Sequence, residues 1–300
     1  MIVSFHDTAC GARFPQRGQD VIKFLITRRR RETLAAPKVP VPGSSPGREA
    51  DRSLHLRPVM EQEVPVAPEA GRVLVVIPAY REEKTIGAVV SAARAQYPYD
   101  VLVVNDGSPD GTSGAARTAG AIVLDLPFNL GIGGAVQSAF LYARDRGYDA
   151  VVRIDGDGQH EVEDIGKVLE PVIDGRADAC IGSRFLGYTG YRGSIPRIFG
   201  IHHFRWLVNL FTGYHVTDPT SGFFAINRRL VEFYSANYPS DYPEVDAYIL
   251  MHRLNARAVE VPVRMYARAE GKSSITTFKA VYYMVKVTLS FLINCIRSLG

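Results

Sequence analysis

Short apolar runs alternate with longer polar-punctuated segments from residue 72 onward. Val73–Ile77, Val101–Val104, Ile122–Leu124 and Ala150–Ile154 are unbroken and rich in β-branched residues, the pattern of strands covered on both faces. Lys84–Gln96 carries Ile86, Val89, Val90 and Ala93 at helical spacing, and Ala135–Arg146 predicts another helix. Between the second and third runs, Asn105-Asp106-Gly107-Ser108-Pro109-Asp110-Gly111-Thr112 is a polar turn leading into a helix. Ala179–Gly182 and Ala258–Val263 predict two later strands. Strands alternating with helices build parallel units, so the expected fold is α/β, an open, mostly parallel, Rossmann-like sheet with helices on both faces. Such sheets bind ligands at the carboxyl ends of their strands. Pro78–Glu82, Asp106 and the Asp155/Asp157 pair all lie just past strand ends, which assigns them to one crevice.

The two ends of the chain read differently. Residues 1–70 are rich in Pro, Gly, Ser and Arg, including Arg28-Arg29-Arg30-Arg31 and Pro40-Val41-Pro42-Gly43-Ser44-Ser45-Pro46-Gly47. Such a stretch buries too little apolar surface to offset its ordering entropy, so a disordered tail is expected, or an over-extended start with Met60 as an alternative initiator. It is not read as a signal peptide, because the basic cluster follows the short apolar segment Val21–Ile26. Residues 71–274 form the expected catalytic domain, and 275–300 a C-terminal amphipathic helix. Within that end, Thr277–Leu299 is apolar but interrupted by Lys286. Its length is marginal for a span, so an interfacial helix or a contact in a homo-oligomer is expected. Ile198–Phe211 predicts a further helix with Phe199, Ile201, Phe204, Trp206, Leu207, Leu210 and Phe211 on more than one face. That suits either a membrane surface or a core position.

Composition narrows the function classes. A net charge of +4 over 300 residues is too mild, and its arginines too locally clustered, to argue for nucleic acid. Cys10, Cys180 and Cys295 are odd in number and widely spaced, which gives neither a disulfide framework nor a metal-binding pair and suits a reducing cytosol.

The chemistry concentrates in Asp155-Gly156-Asp157-Gly158-Gln159-His160. In an extended chain residues two apart share a face, so Asp155 and Asp157 converge on one cation if the strand continues through them. Hard oxygen ligands of this kind suit Mg2+ or Mn2+, which share their coordination shell with substrate phosphates. The bland alternative is a solvated Asp-Gly turn. Gly131-Ile132-Gly133-Gly134 resembles half of a dinucleotide fingerprint, but Val136 holds the third glycine position, so the stretch reads as a tight helix entry.

In order along the chain, Pro78-Ala79-Tyr80-Arg81-Glu82, Val104-Asn105-Asp106-Gly107-Ser108 and Asp155-Gly156-Asp157 resemble a family 2 glycosyltransferase of the GT-A fold. The downstream motifs are similar to the dolichyl- or polyprenyl-phosphate mannose or glucose synthase branch. The resemblance implies a nucleoside pocket lined by Pro78, Tyr80 and Glu82, with Val104 beside it and Asp106 near the base or ribose. It also implies a divalent metal on Asp155 and Asp157 that holds the donor diphosphate, with Gly156 between them and Gln159 a candidate phosphate contact. His160 is either a metal neighbour or a capping residue.

In the second half, Ser183-Arg184 follows a strand, and in the resembling family this arginine faces acceptor or donor phosphates. Thr217-Asp218-Pro219-Thr220-Ser221-Gly222-Phe223-Phe224 resembles the family's D-x-x-S-G-F segment. Glu244 and Asp246 open a predicted helix in a region where related enzymes place a base carboxylate; a hydroxyl acceptor needs such a base and a phosphate acceptor does not. Arg264 to Ser274 resembles an R-x-x-G-x-S-K loop with Arg268 as phosphate clamp, although Ser274 replaces the final lysine and Lys272 stands two residues earlier. Together these imply an inverting, metal-dependent transferase. Arg184, Asp157, Asp218 and Glu244 would be its catalytic candidates. It would move a hexose from a GDP-mannose or UDP-glucose type donor to polyprenyl phosphate, peripheral to the inner face of the cell membrane and docked on the lipid surface or a small membrane protein. A hydroxyl acceptor in glycolipid or surface polysaccharide synthesis is the alternative within the class. Outside it stand a sugar-nucleotidyltransferase, which usually carries a Gly-rich basic loop that the acidic Ala79–Glu83 is not, and a non-catalytic sugar-nucleotide binder.

Overall fold

A computed structural model describes residues 71–187, 195–240, 243–266 and 284–293, with side chains in the first helix of the second half from residue 198 onward. The expected tail over 1–70, and Arg268, Lys272 and Ser274, lie outside the described residues.

Seven strands form one sheet in the order β3-β2-β1-β4-β6-β5-β7. The strands are β1 (Val73–Ala79), β2 (Asp100–Asn105), β3 (Ile122–Asp125), β4 (Ala150–Arg153), β5 (Ala179–Ser183), β6 (Phe224–Asn227) and β7 (Ala258–Pro262). The helices between them are α1 (Ile86–Gln96), α2 (Thr112–Thr118), α3 (Gly131–Arg146), α4 (Ile165–Ile173), α5 (Ile195–Thr212), α6 (Arg228–Asn237) and α7 (Pro243–Arg253). Residues 284–293 are also helical. Side chains alternate across β1: Leu74 and Val76 enter one apolar core with α3, α6 and α7, while Val73, Val75 and Ile77 enter another with α1 and α4. Both faces are covered, which is why these strands carry no polar alternation.

All neighbouring strands run parallel except β6, which pairs antiparallel with both β4 and β5. The run Phe224–Asn227 begins inside the Thr217–Phe224 motif and is not among the strands expected from the sequence. Its reversed direction has a consequence for the site: Phe224, where β6 starts, lies opposite Arg153, where β4 ends. The Thr217–Gly222 segment therefore arrives at the same sheet edge as the loops after β1, β2 and β4. Also unannounced were α4 and α6, the latter capped by the Asn227 side chain accepting from the Leu230 N–H at 3.1 Å. Helix α3 starts at Gly131, four residues earlier than expected, so the glycines form its first turn. At Gly133 a Cβ would lie 2.3 Å from the carbonyl oxygens of both Pro239 and Ser240, so only glycine lets the helix meet that segment.

Gly133→Ala should therefore destabilise the protein by about 1–3 kcal/mol, the usual cost of overpacking against backbone that cannot yield. Gly114, exposed in α2 with open space around its Cα, is the control. Gly114→Ala should stabilise by roughly 0.5–1 kcal/mol through lost unfolded-state freedom. Denaturant midpoints moving in opposite directions would confirm both; a neutral Gly133→Ala would refute the close-approach argument.

Candidate active site

The loops after β1 and β2 are fastened to one another. Arg81 adopts a left-handed conformation (φ 59°) that is costly for a non-glycine residue. Its N–H donates to Ser108 Oγ (3.1 Å), and the next N–H, of Glu82, donates to Thr112 Oγ1 (3.0 Å). Thr85 Oγ1 donates to the Gly156 carbonyl at 2.8 Å and lies 3.1 Å from Glu82 Oε2, which joins this loop to the aspartate loop. Pro78 lies inside buried strand β1, which continues to Ala79, whereas Tyr80 is half-exposed and carries the Arg81 guanidinium over its ring at 5.3 Å.

Two expected nucleotide contacts have other duties. The Val104 side chain is sealed in the core, because β2 is covered on both faces, and offers a ligand nothing. Asp106 is buried and accepts from the N–H groups of Leu130 (2.7 Å) and Gly131 (2.9 Å). It thus caps the positive end of α3. Burial pushes its carboxyl above the ordinary range, against the pull of those two donors. The N–H groups of Leu130 and Gly131 at the start of α3 are therefore already taken by a protein carboxylate.

The aspartate pair does not sit on a continuing strand as the sequence suggested. Strand β4 stops at Arg153 and residues 156–157 form a turn, so strand alternation does not orient the two carboxylates. The loop is shaped instead by local hydrogen bonds. The Asp155 N–H donates to His160 Nδ1 (3.1 Å), and the Gln159 N–H donates to Asp157 Oδ1 (3.0 Å). Gln159 Nε2 donates to the Tyr266 carbonyl (3.1 Å), while the Tyr266 N–H donates back to the Gln159 carbonyl (2.8 Å). Gln159 thus zips the aspartate loop to the segment after β7.

Arg153, which sequence reading passed over, is the centre of the site. Its side chain is 3 % exposed, yet it is charged: Nη2 donates to Asp155 Oδ1 (3.1 Å) and Nη1 to Glu244 Oε1 (2.9 Å), from the first turn of α7. The guanidinium also lies over the Phe224 ring at 5.6 Å. Against its burial, the two carboxylates hold this arginine protonated. Burial would by itself raise the Asp155 carboxyl, but Arg153 foremost, then His160, hold it below its ordinary value. The only signal in the sequence was a charged residue inside an otherwise apolar strand run, a place where charge is rarely tolerated without a partner.

Arg184 and Asp218, expected as separate catalytic groups, form a buried two-point ion pair. Nε and Nη2 of Arg184 donate to the two Asp218 oxygens at 2.6 Å each, and the Arg184 N–H adds a third contact at 3.2 Å. Asp218 is fully buried. Glu260 on β7 accepts from the N–H groups of Thr217 and Asp218 and fixes the turn that carries the aspartate. Ser221 Oγ, a candidate phosphate donor, donates to the Gly182 carbonyl at 2.6 Å. This set holds β5, β6 and β7 together at the sheet edge. Asp246 is likewise buried and accepts from Ser290 Oγ (2.7 Å) in the 284–293 helix.

The donor set at Asp155 and Asp157 fits a hard divalent cation. Asp155 is 31 % exposed by side chain, and a Cβ at Gly222 would come within 3.1 Å of its Oδ2, so the glycine keeps the approach open. Asp155 and Glu244 share the Arg153 guanidinium, one prong each. Among the described residues no group of three His, Cys, Asp or Glu side chains converges as a closed metal cage. A cation here takes further ligands from substrate and water, as Mg2+ and Mn2+ do.

Burial pushes His160 below its ordinary value, against the pull of Asp155 and Asp157. An unfolded chain protonates first as pH falls through about 6.5, so the folded state loses stability on that descent. Thermal unfolding followed from pH 7.5 to 5.5 should show a fall that His160→Gln lessens; equal pH dependence in both proteins would refute it.

With this geometry in place, comparison with known proteins is informative. The model of glycosyl transferase family 2 matches residues 74–234, more than half of the chain. An undecaprenyl-phosphate mannosyltransferase of Micrococcus luteus is 32% identical over 224 residues, covering 68% of this chain and 88% of that protein. A UDP-N-acetylglucosamine–dolichyl-phosphate N-acetylglucosaminyltransferase of Methanococcus voltae is 26% identical over 241 residues, covering 72% and 96%. Among solved structures, glucosyl-3-phosphoglycerate synthase of Mycobacterium tuberculosis with Mn2+, UDP and glucosyl-3-phosphoglycerate superposes with a TM-score of 0.58 at 21% identity, covering 75% of this chain and 80% of that one. The shared sheet, the acidic loop after its fourth strand and the matched family model make this chain a member of glycosyl transferase family 2.

Proposed function

We propose that the enzyme transfers a hexose from a nucleotide-diphosphate sugar to a polyprenyl phosphate, with inversion at the anomeric carbon and with a divalent cation on Asp155 and Asp157. The placement of Asp155 and Asp157 in the loop after β4, with Asp155 and Glu244 held by one guanidinium, carries the reading. A nucleotide diphosphate enters such a crevice only with a cation between the two sets of negative charge. Relatives named as polyprenyl- and dolichyl-phosphate sugar transferases support the acceptor class.

In that reaction an acceptor phosphate oxygen attacks the anomeric carbon opposite the leaving group. One C–O bond forms as the bond to the nucleoside diphosphate breaks, and the electron pair leaves on the diphosphate. No proton needs to move, since the nucleophile is already an anion. The bound cation would neutralise charge building on the leaving diphosphate. Tyr80 and Glu82 lie on a fastened loop suited to hold the nucleoside, and Gln159 and Asp157 keep the acidic loop in shape.

The lipid acceptor also gives a use to an unusual surface. Phe199, Trp206 and Leu210 on α5 and Val285, Leu289 and Ile293 on the 284–293 helix all point outward, Trp206 being 60 % exposed. The two helices touch through His203 and Thr288 (2.9 Å) and through the Phe211 and Phe291 rings. Neither carries an acidic residue, whereas Arg205 and Lys286 are basic. An apolar face with tryptophan and basic flanks suits the boundary of an anionic bilayer. No helix among the described residues is long and apolar enough to cross a membrane.

Thermal shift with GDP-mannose, UDP-glucose, GDP and UDP, each with manganese and with EDTA, tests the donor site. Stabilisation by one nucleotide series that requires manganese is expected, and Asp157→Ala should abolish it and lower transfer by roughly 10²–10³-fold. A variant that transfers normally under EDTA would overturn the metal role. Co-sedimentation should be stronger with phosphatidylglycerol-containing vesicles than with pure phosphatidylcholine, and Trp206→Ser with Leu289→Ser should weaken it. Equal recovery of both proteins would remove the membrane face.

A further inference from the structure

Arg153 links two loops that have no other reason to meet. Asp155 follows it on the same chain, but Glu244 comes from α7, 91 residues away in sequence. A buried guanidinium is costly to desolvate, and a lysine or an apolar residue would fill the end of β4 more cheaply unless the fork itself is needed. What the fork does is hold two carboxylates side by side from opposite halves of the site. Asp155 is the partner suited to the cation and the diphosphate. Glu244 is therefore fixed next to the place where the sugar is joined to that diphosphate.

The Glu244 side chain remains 18 % exposed, so it can still be reached from the crevice. Among the described residues, the cavity behind it holds about 30 Å³, bordered by Tyr238, Tyr248 and Met251, and is too small for a sugar ring. The Asp155 side is the approach that a sugar joined to the diphosphate would use. One oxygen of Glu244 is engaged by Arg153, and a carboxylate oxygen has further lone pairs for hydroxyl donors. Hydroxyl-to-carboxylate bonds are charge-assisted and directional, which makes such a group a reader of hexose hydroxyls.

We propose that Arg153 is a positioning residue for sugar selection: its guanidinium locks Glu244 beside Asp155 so that the Glu244 carboxylate receives hydroxyls of the transferred hexose. This rests on the reading of the enzyme as a sugar-nucleotide transferase with a phosphate acceptor, in which Glu244 is not required as a base. In the Arg184–Asp218 pair, by contrast, both oxygens of the single carboxylate are taken by one guanidinium.

The test compares affinity for a sugar nucleotide with affinity for the bare nucleotide of the same base, both with manganese, by calorimetry on the full chain. Glu244→Gln should weaken the sugar nucleotide by roughly tenfold to a hundredfold and leave the nucleoside diphosphate within about threefold. Arg153→Met should give the same split, Arg153→Lys a smaller one, and the Arg153→Met/Glu244→Gln double variant no more than the larger single loss. Equal weakening of both ligands, or additive losses, would overturn the proposal. A loss confined to kcat, with the rise of activity with pH abolished, would make Glu244 a base instead and would equally overturn it. If Arg153→Met does not fold, the Arg153→Lys/Glu244→Gln cycle decides. Should the wild-type protein bind neither sugar nucleotides nor nucleoside diphosphates, the transferase reading fails as a whole. Binding without the split would fail only the present inference.

Discussion

A parallel sheet covered on both faces has no solvent side, so any polar group that it needs must be carried at the strand ends. The strands here meet that constraint with runs such as Leu74–Ile77 and Val101–Val104, wholly apolar and wholly buried. Charge then accumulates along one edge, where the loops after β1, β2 and β4 emerge together. Because β6 runs backward, the segment from Thr217 to Gly222 begins at that edge too, and one reversed strand brings the second half of the chain to the site.

Charges at such an edge are partly withdrawn from water, and each must be answered. Asp106 is answered by two N–H groups at the start of α3, Asp218 by a two-pronged arginine, and Asp164 by the Arg264 N–H and Lys167. These are structural solutions to burial. They leave the edge stiff, which is what orienting a substrate requires. Around Arg153 the arrangement differs, because one guanidinium is shared between two carboxylates.

The alternating runs made the sheet legible, since period and β-branching respond to burial directly. Strand β6 and helices α4 and α6 were not legible; Phe224–Asn227 begins inside the Thr217–Phe224 motif, and Asn227 signals a helix start only once the strand before it is known. In the site, the Asp155/Asp157 pair is singled out by residue type and position after a strand, and Glu244 by its place at the opening of a helix. The mutual capture of Arg184 and Asp218 could not, because their 34-residue separation is closed only by the antiparallel β6. Asp106 illustrates the same gap: an aspartate after a strand reads as a ligand contact, but whether a helix end comes to meet it is decided in three dimensions. Val104 was drawn in by its neighbours in the motif although its own place in the strand pattern assigned it to the core.

The two buried arginines separate structure from chemistry. Arg184 meets a single carboxylate with both prongs; the charges cancel, the geometry is closed, and Asp218 keeps no exposure. Arg153 spends one prong on each of two carboxylates, both of which stay partly exposed. Glycine at position 222 holds space open over Asp155. On the proposed function, that opening admits the cation and diphosphate of a sugar nucleotide, and the guanidinium that limits the repulsion between Asp155 and Glu244 keeps the two carboxylates at a fixed spacing.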